Sequence, residues 1–203
     1  MNPIYLQALS FQDVHGPNED CIYAAADMAV ELGIAGIDIE DRLLKSYEPH
    51  YLQALAHQIE SRGIRIGYCG LIVDFNAPIS SIPDEINRAK LLLDAIPYLG
   101  VESMRIPGNG VVGRQSTEGT FNAVRSKFQQ VLDHAEGSGV TVYLHNHNHG
   151  SVPSTGEQVL RLVNELNNPG LSYVLDTGQF QGSPGASGEG SPSNIAQDEL
   201  YES

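Results

Sequence analysis

Apolar residues recur every three or four positions in five segments, the spacing that gives a helix one apolar face. The five segments are Ile22–Val30, Leu52–Ile59, Ile86–Ile96, Phe121–Leu132 and Val159–Leu166. A glycine and then an apolar residue follow each segment, at Gly33, Gly63, Gly100, Gly139 and Gly170. Because glycine readily adopts the left-handed conformation that ends a helix, each pair predicts a helix end and then a strand start.

Short apolar runs follow these glycines, and one more run precedes the first helix. They predict six strands: Ile4–Leu9, Ile34–Glu40, Ile64–Cys69, Val101–Ile106, Val140–His145 and Leu171–Asp176. Strands that alternate with helices of this length predict an α/β fold with a parallel sheet. The pattern alone leaves open a doubly wound sheet and a (β/α)8 barrel. No glycine-rich phosphate-binding motif follows the first strand, which disfavours a doubly wound sheet that binds a dinucleotide.

The stretch Gly182–Ser193 consists almost entirely of glycine, serine and proline. It has two interpretations. One is a flexible linker, and the other is a long loop after the sixth strand, on the face where barrels carry their functional loops. A sixth helix is predicted to begin at Asn194.

The composition narrows the classes of partner. The 203 residues include 11 Lys and Arg and 25 Asp and Glu, a formal net charge of −14 that disfavours nucleic acid and anionic membranes as partners. The two cysteines have no metal-binding or redox spacing, so we expect a cytoplasmic protein. We see no signal peptide and no apolar stretch long enough to span a bilayer.

Polar residues stand where several predicted strands end. Side chains alternate between the two faces of a strand, and the apolar face should meet the helices. The opposite faces then carry Glu40, Arg105, His145 and His147, and Asp176 closes the apolar run of the sixth strand. The carboxyl ends of barrel strands form the catalytic face, so these positions predict a site. Each residue also has an ordinary structural interpretation as a cap, an ion-pair partner or a turn residue.

Histidine and aspartate side chains on one face suit a borderline divalent metal such as Zn, Mn or Co. Such a metal could hold the neighbouring oxygens of a hydroxy-carbonyl compound. It would polarise the carbonyl group and stabilise an enediolate as a proton leaves the adjacent carbon.

The sequence at this point resembles a known family, the xylose isomerase-like TIM barrels, which are sugar phosphate isomerases and epimerases. Three motifs carry the resemblance: Gly-Ile-Asp-Ile-Glu at 36–40, Val-Thr-Val-Tyr-Leu-His-Asn-His at 140–147 and Leu-Ser-Tyr-Val-Leu-Asp-Thr-Gly-Gln at 171–179. The resemblance implies a single (β/α)8-barrel domain over residues 1–203. About six βα units are present, so we expect an incomplete, C-terminally truncated barrel.

The resemblance also implies a divalent metal, which would be Mn, Zn, Co or Mg. Asp176 matches the family's metal ligand on strand six, His147 matches the histidine of its Glu-Asn-His motif, and Glu40 matches the acidic end of strand two. Two positions depart from the family. The glutamate of strand five is His145, and the histidine three residues after the strand-six aspartate is Gln179.

These matches predict a role for each residue. His145 and Glu40 are the predicted catalytic groups, and Asp176 and His145 are the predicted metal ligands. Substrate-binding roles are predicted for Glu40, Arg105, His147 and Gln179. The expected reaction is a metal-dependent isomerisation or epimerisation of a small sugar or keto-polyol through an enediolate. We expect the chain as written to be inactive, and a homo-oligomer is possible.

Three other functions stay open. The histidine-rich fifth strand resembles inosose dehydratases, which favours a lyase reaction on a cyclic keto-polyol. The lost strand-five glutamate and the lack of strands seven and eight favour a non-catalytic sugar-binding protein. A nuclease of the endonuclease IV type shares the barrel and a similar metal site, but the net charge of −14 disfavours it.

Overall fold

The computed structural model describes residues 3–75, 82–108, 117–147 and 151–179. Six strands form one sheet in chain order: β1 (Tyr5–Gln7), β2 (Gly36–Glu40), β3 (Arg65–Gly70), β4 (Ser103–Pro107), β5 (Thr141–His145) and β6 (Leu171–Val174). The pairs β1–β2, β2–β3 and β5–β6 are parallel. A doubly wound sheet reverses its strand order at a switch point, whereas a barrel keeps the chain order. The order therefore confirms a TIM-barrel-like α/β fold.

The helices are α1 (Gln12–His15), α2 (Asp20–Leu32), α3 (Pro49–Glu60), α4 (Ile82–Ala95), α5 (Glu118–Ala135) and α6 (Gly156–Leu166). The five periodic segments correspond to α2–α6, as predicted. The helix α1 is a single turn, too short to show a period. Among the helices in the described ranges, none is both long and apolar enough to cross a membrane. The Gly182–Ser193 stretch and the predicted helix from Asn194 lie outside the described residues.

The chain forms two compact units. Over the described residues, the first lies within Met1–Leu71, Leu91–Met104 and Gly137–Val140. The second lies within Ile72–Lys90, Arg105–Glu136 and Thr141–Ser203.

The core of the first unit lies between its strands and the helices α2 and α3. Ile37 and Ile39 of β2 are fully buried, and α2 contacts β2. The buried face of α2 includes several small residues. These small residues are Ala25, Ala26 and Ala29, all fully buried. Because alanine extends little beyond the helix backbone, α2 can lie close to the strand.

The core of the second unit is built around α5. Phe128 meets the ring of Phe75 edge-on, with the ring centroids 5.5 Å apart. On the surface, the Arg161 guanidinium of α6 donates two hydrogen bonds of 2.7 and 2.8 Å to Glu118 of α5, and it lies over the ring of Phe121. These contacts join the two helices.

Most of the predicted helix-ending glycines have the expected backbone. Gly33 caps α2 with φ of 65°, and Gly100 caps the short 3-10 helix Ile96–Leu99, which follows α4, with φ of 70°. Gly170 is not the cap of α6, because Asn167 follows the last helical residue with φ of 41°, but β6 begins directly after Gly170 as predicted. Asparagine tolerates the left-handed conformation better than other residues with a side chain, so glycine is not needed there.

Gly36 is the first residue of β2, and it provides a test of how closely β2 packs against the neighbouring strands β1 and β3. A Cβ atom there would lie within 3.0 Å of both the Arg65 backbone and the Tyr5 ring. We expect Gly36→Ala to lower the free energy of unfolding by about 3 kcal/mol in urea denaturation. The control is Gly119→Ala, whose Cβ meets nothing closer than 3.7 Å. It should leave stability unchanged or raise it by up to about 1 kcal/mol. Equal effects of the two changes would contradict the packing.

Candidate active site

The ends of β5 and β6 are joined by a reciprocal pair of hydrogen bonds. Asn146 Nδ2 donates to the backbone oxygen of Asp176 at 2.9 Å, and the Asp176 backbone N–H donates to Asn146 Oδ1 at 2.8 Å. This pair holds the backbone of Asp176 beyond the last residue of β6. Sequence reasoning missed Asn146, because alternation along β5 assigns it to the same side as the apolar Leu144. The strand ends at His145, so the alternation does not apply to the next residue.

Three predicted residues from β4, β5 and the end of β6 form a hydrogen-bonded chain. Arg105 Nη1 lies 2.8 Å from His145 Nδ1, and His145 Nε2 lies 3.2 Å from Asp176 Oδ2. Arg105 and His145 are each only 6% exposed. The side chain of Asp176 is 39% exposed, so it is the member of the chain that solvent reaches.

The direction of these hydrogen bonds follows from the chemistry of arginine. A guanidinium group has N–H donors and no acceptor, so Nδ1 of His145 must accept. A neutral imidazole then carries its proton on Nε2 and donates it to the Asp176 carboxylate. Both ring nitrogens of His145 are therefore bound by protein groups.

Burial has opposite effects on the two titrating members of the chain. It lowers the pKa of His145 to about 4, and the Arg105 charge adds to this, although the hydrogen bond to Asp176 opposes it. Burial raises the pKa of Asp176, but the hydrogen bonds that its carboxylate accepts from His145 and from the Gly178 backbone outweigh this effect, so the pKa is lowered overall. The Gly178 backbone N–H donates to Asp176 Oδ1 at 3.0 Å. At neutral pH the site thus holds a neutral imidazole beside an ionised carboxylate.

Two further residues that the sequence predicted for the site lie near these three hydrogen-bonded residues. The ring of His147 meets that of His145 edge-on, with centroids 6.0 Å apart. The backbone N–H of Gln179 donates to the backbone carbonyl oxygen of Asp176 at 3.1 Å and closes a turn. The side chain of Gln179 is buried, and its Oε1 has no hydrogen-bond partner within the described parts of the chain.

Glu40 belongs to a second polar group, within the first unit. Gln7 Nε2 donates to the Tyr68 hydroxyl at 3.0 Å and to Glu40 Oε1 at 3.4 Å. The Tyr68 backbone N–H donates to Asp38 Oδ1 at 3.0 Å. Sequence reasoning missed Gln7 and Tyr68. A polar Gln7 at the end of the apolar first strand was the available signal.

The family follows from a match over most of the chain. The model of the xylose isomerase-like TIM barrel family matches residues 26–201. The chain belongs to this family. No curated protein matches the sequence closely enough to count as a relative.

Solved structures share the fold of this xylose isomerase-like chain at low identity. The D-allulose 3-epimerase from Methylomonas sp. is 18% identical with a TM-score of 0.69, covering 86% of this chain and 63% of its own. The D-psicose 3-epimerase from Clostridium cellulolyticum H10 is 16% identical with a TM-score of 0.73, covering 87% and 64%. The chain thus spans less than two thirds of either epimerase.

A dehydratase shares the fold as well. The probable 3-DHS dehydratase AsbF from Bacillus anthracis is 14% identical with a TM-score of 0.69, covering 98% of this chain and 70% of its own. At these identities the neighbours show the fold alone.

The described residues do not fit a divalent metal held by His145. A histidine that binds a metal must offer a free lone pair on Nδ1 or Nε2. Here Nδ1 accepts from Arg105, and Nε2 carries the proton donated to Asp176. Across residues 3–75, 82–108, 117–147 and 151–179, no three His, Cys, Asp or Glu side chains converge as a metal site would require. The assignment of Asp176 and His145 as metal ligands stays a prediction from the resemblance.

The depressed pKa of His145 predicts how stability changes with pH. The folded chain takes up this proton only near pH 4, whereas the unfolded chain takes it up near the ordinary value of 6.5. Between these values the unfolded state binds more protons, so the free energy of unfolding falls as the pH falls. Through His145, lowering the pH from 7 to 4 should reduce the free energy of unfolding by about 3 kcal/mol.

Urea denaturation of the wild type and of His145→Gln across this range tests the effect, because the variant lacks the imidazole while its amide group can still donate to Asp176. The wild type should lose more stability with falling pH than the variant. Parallel pH curves for the two proteins would show that His145 titrates normally.

Proposed function

We propose that the chain removes a proton from the carbon next to a carbonyl group in a small sugar or keto-polyol and returns one to that carbon or to the carbonyl carbon. One observation carries this proposal: the partly exposed Asp176 carboxylate is held by the buried, neutral His145 at the ends of β5 and β6. Membership of the xylose isomerase-like family supports the class of reaction.

Exposure decides which group would meet the substrate. The side chain of Asp176 is 39% exposed and that of His145 is 7% exposed. Asp176 would take the proton from the carbon beside the carbonyl, which leaves an enediolate. Return of this proton to the former carbonyl carbon, while the hydroxyl proton moves from one oxygen to the other, would give the isomer. A proton given by a second group to the opposite face of the first carbon would give the epimer. His145 donates its Nε2–H to the carboxylate and thereby fixes its orientation. Arg105 contacts His145, which supports a positioning role instead of the substrate-binding role predicted from the sequence.

The remaining predicted residues are proposed to bind the hydroxyl groups of the substrate. The buried Gln179 carries an oxygen without a hydrogen-bond partner among the described residues, which supports this role. His147 lies beside the ring of His145. Glu40 is proposed as a second carboxylate of the reaction, and it lies within the polar group of the first unit.

A dehydratase is the second candidate, and the two histidines at the end of β5 favour it. The same Asp176 would then take a proton from the carbon next to the carbonyl and give it to the hydroxyl group on the following carbon, which would leave as water. A non-catalytic sugar-binding protein is the third candidate.

Proton exchange with solvent tests the proposal directly. The chain is incubated in D₂O with ketopentoses, ketohexoses and cyclic keto-polyols, and the loss of the C–H signal beside the carbonyl is followed by NMR. We expect exchange with at least one of these compounds. Asp176→Asn should reduce the exchange rate by at least about 100-fold, because an amide cannot accept the proton. His145→Gln should reduce it less, since the carboxylate remains.

The matched control is Asp133→Asn, which makes the same change at an exposed position of α5. It should exchange at the wild-type rate. Exchange that persists in Asp176→Asn would exclude Asp176 as the base. A product lighter by one water in the mass spectrum would replace the isomerase with the dehydratase. Sugar binding without any exchange would favour the non-catalytic protein.

A further inference from the structure

We propose that Arg105 makes this site independent of divalent metal, by holding the His145 nitrogen that a metal ion would need. The inference concerns the site of the proposed function, but it is tested by metal binding and ring protonation without any turnover. It separates this chain from the metal-dependent reaction that the family resemblance implies.

The first support is the lone pair of His145. An imidazole has one lone pair when neutral and none when protonated. The lone pair on Nδ1 accepts from Arg105 at 2.8 Å, and the opposite nitrogen carries the proton. A metal can bind only if Arg105 withdraws or if the ring gives up its hydrogen bond to Asp176.

The second support is charge. The Arg105 guanidinium stays protonated at every relevant pH, and it is only 6% exposed. A divalent cation bound at His145 Nδ1 would face this positive charge in a place that water screens poorly. Withdrawal of Arg105 would leave a buried charge without its contact to His145, which adds to the cost of metal binding.

The third support is the carboxylate. Each oxygen of Asp176 accepts one hydrogen bond, from Gly178 at Oδ1 and from His145 at Oδ2. A carboxylate has lone pairs left over, so Asp176 could still contribute one ligand. Metal sites in enzymes generally need three protein ligands. The described residues bring together no such group of three.

Calorimetric titration with MnCl₂ and ZnCl₂ tests the inference on the wild type, Arg105→Met and Arg105→Met/His145→Gln. Methionine keeps an apolar chain of similar reach but frees Nδ1 of His145 and removes the positive charge. Arg88→Met is the control for charge, because it removes one arginine from the exposed surface of α4, where Arg88 pairs with Glu85.

We expect the wild type and Arg88→Met to show equally weak binding. Arg105→Met should bind metal at least about tenfold more tightly than either, and the double variant should lose this gain. Tight wild-type binding that His145→Gln abolishes would overturn the inference. So would a folded Arg105→Met variant with wild-type affinity.

NMR of the wild type, with ¹⁵N-labelled histidine, needs no folded Arg105 variant. The signals of His145 are assigned by their loss in His145→Gln. At neutral pH they should show Nδ1 without a proton and Nε2 with one, unchanged by added Zn²⁺. A proton on Nδ1, or a shift of Nδ1 on adding Zn²⁺, would refute the inference and leave the D₂O exchange test of the proposed function unaffected.

Discussion

A guanidinium group can donate hydrogen bonds but cannot accept them, and the candidate site depends on this property of Arg105. Its N–H group meets Nδ1 of His145, so the proton of the ring must lie on Nε2. The Nε2–H group then donates a hydrogen bond to the carboxylate of Asp176, which stays ionised. The buried contact between Arg105 and His145 thus determines where the protons lie on these three residues. It leaves Asp176 as the group that can take up a proton.

The fold makes this contact possible because parallel strands end at the same edge of their sheet. Arg105 lies in β4, His145 is the last residue of β5, and Asp176 follows β6. The pairing of β5 with β6 ends at Val174, before Asp176. Asn146 supplies the missing restraint through its two hydrogen bonds to the backbone of Asp176. These bonds join the residue after β5 to the residue that carries the exposed carboxylate of the site.

Most of the secondary structure could be predicted from local patterns. The apolar stripe of Leu52–Ile59 predicts α3, and the alternation of Val142 and Leu144 predicts β5, because both depend only on which face is buried. The end of α6 could not be predicted in this way. Both Asn167 and Gly170 can follow a helix, and only the packed structure selects Asn167. Asn146 and Gln7 were also missed, since their partners lie about 30 or more residues away in sequence.

The sequence by itself determined the alternation of strands and helices, the family resemblance and the presence of His145, His147 and Asp176 at strand ends. These features depend on side-chain periodicity and on residue identity, which the chain carries locally. Only the tertiary structure decided that His145 accepts from Arg105 and donates to Asp176. The same imidazole can bind a metal, a base or a carboxylate, and the choice depends on the neighbours that folding brings to within about 3 Å of each ring nitrogen.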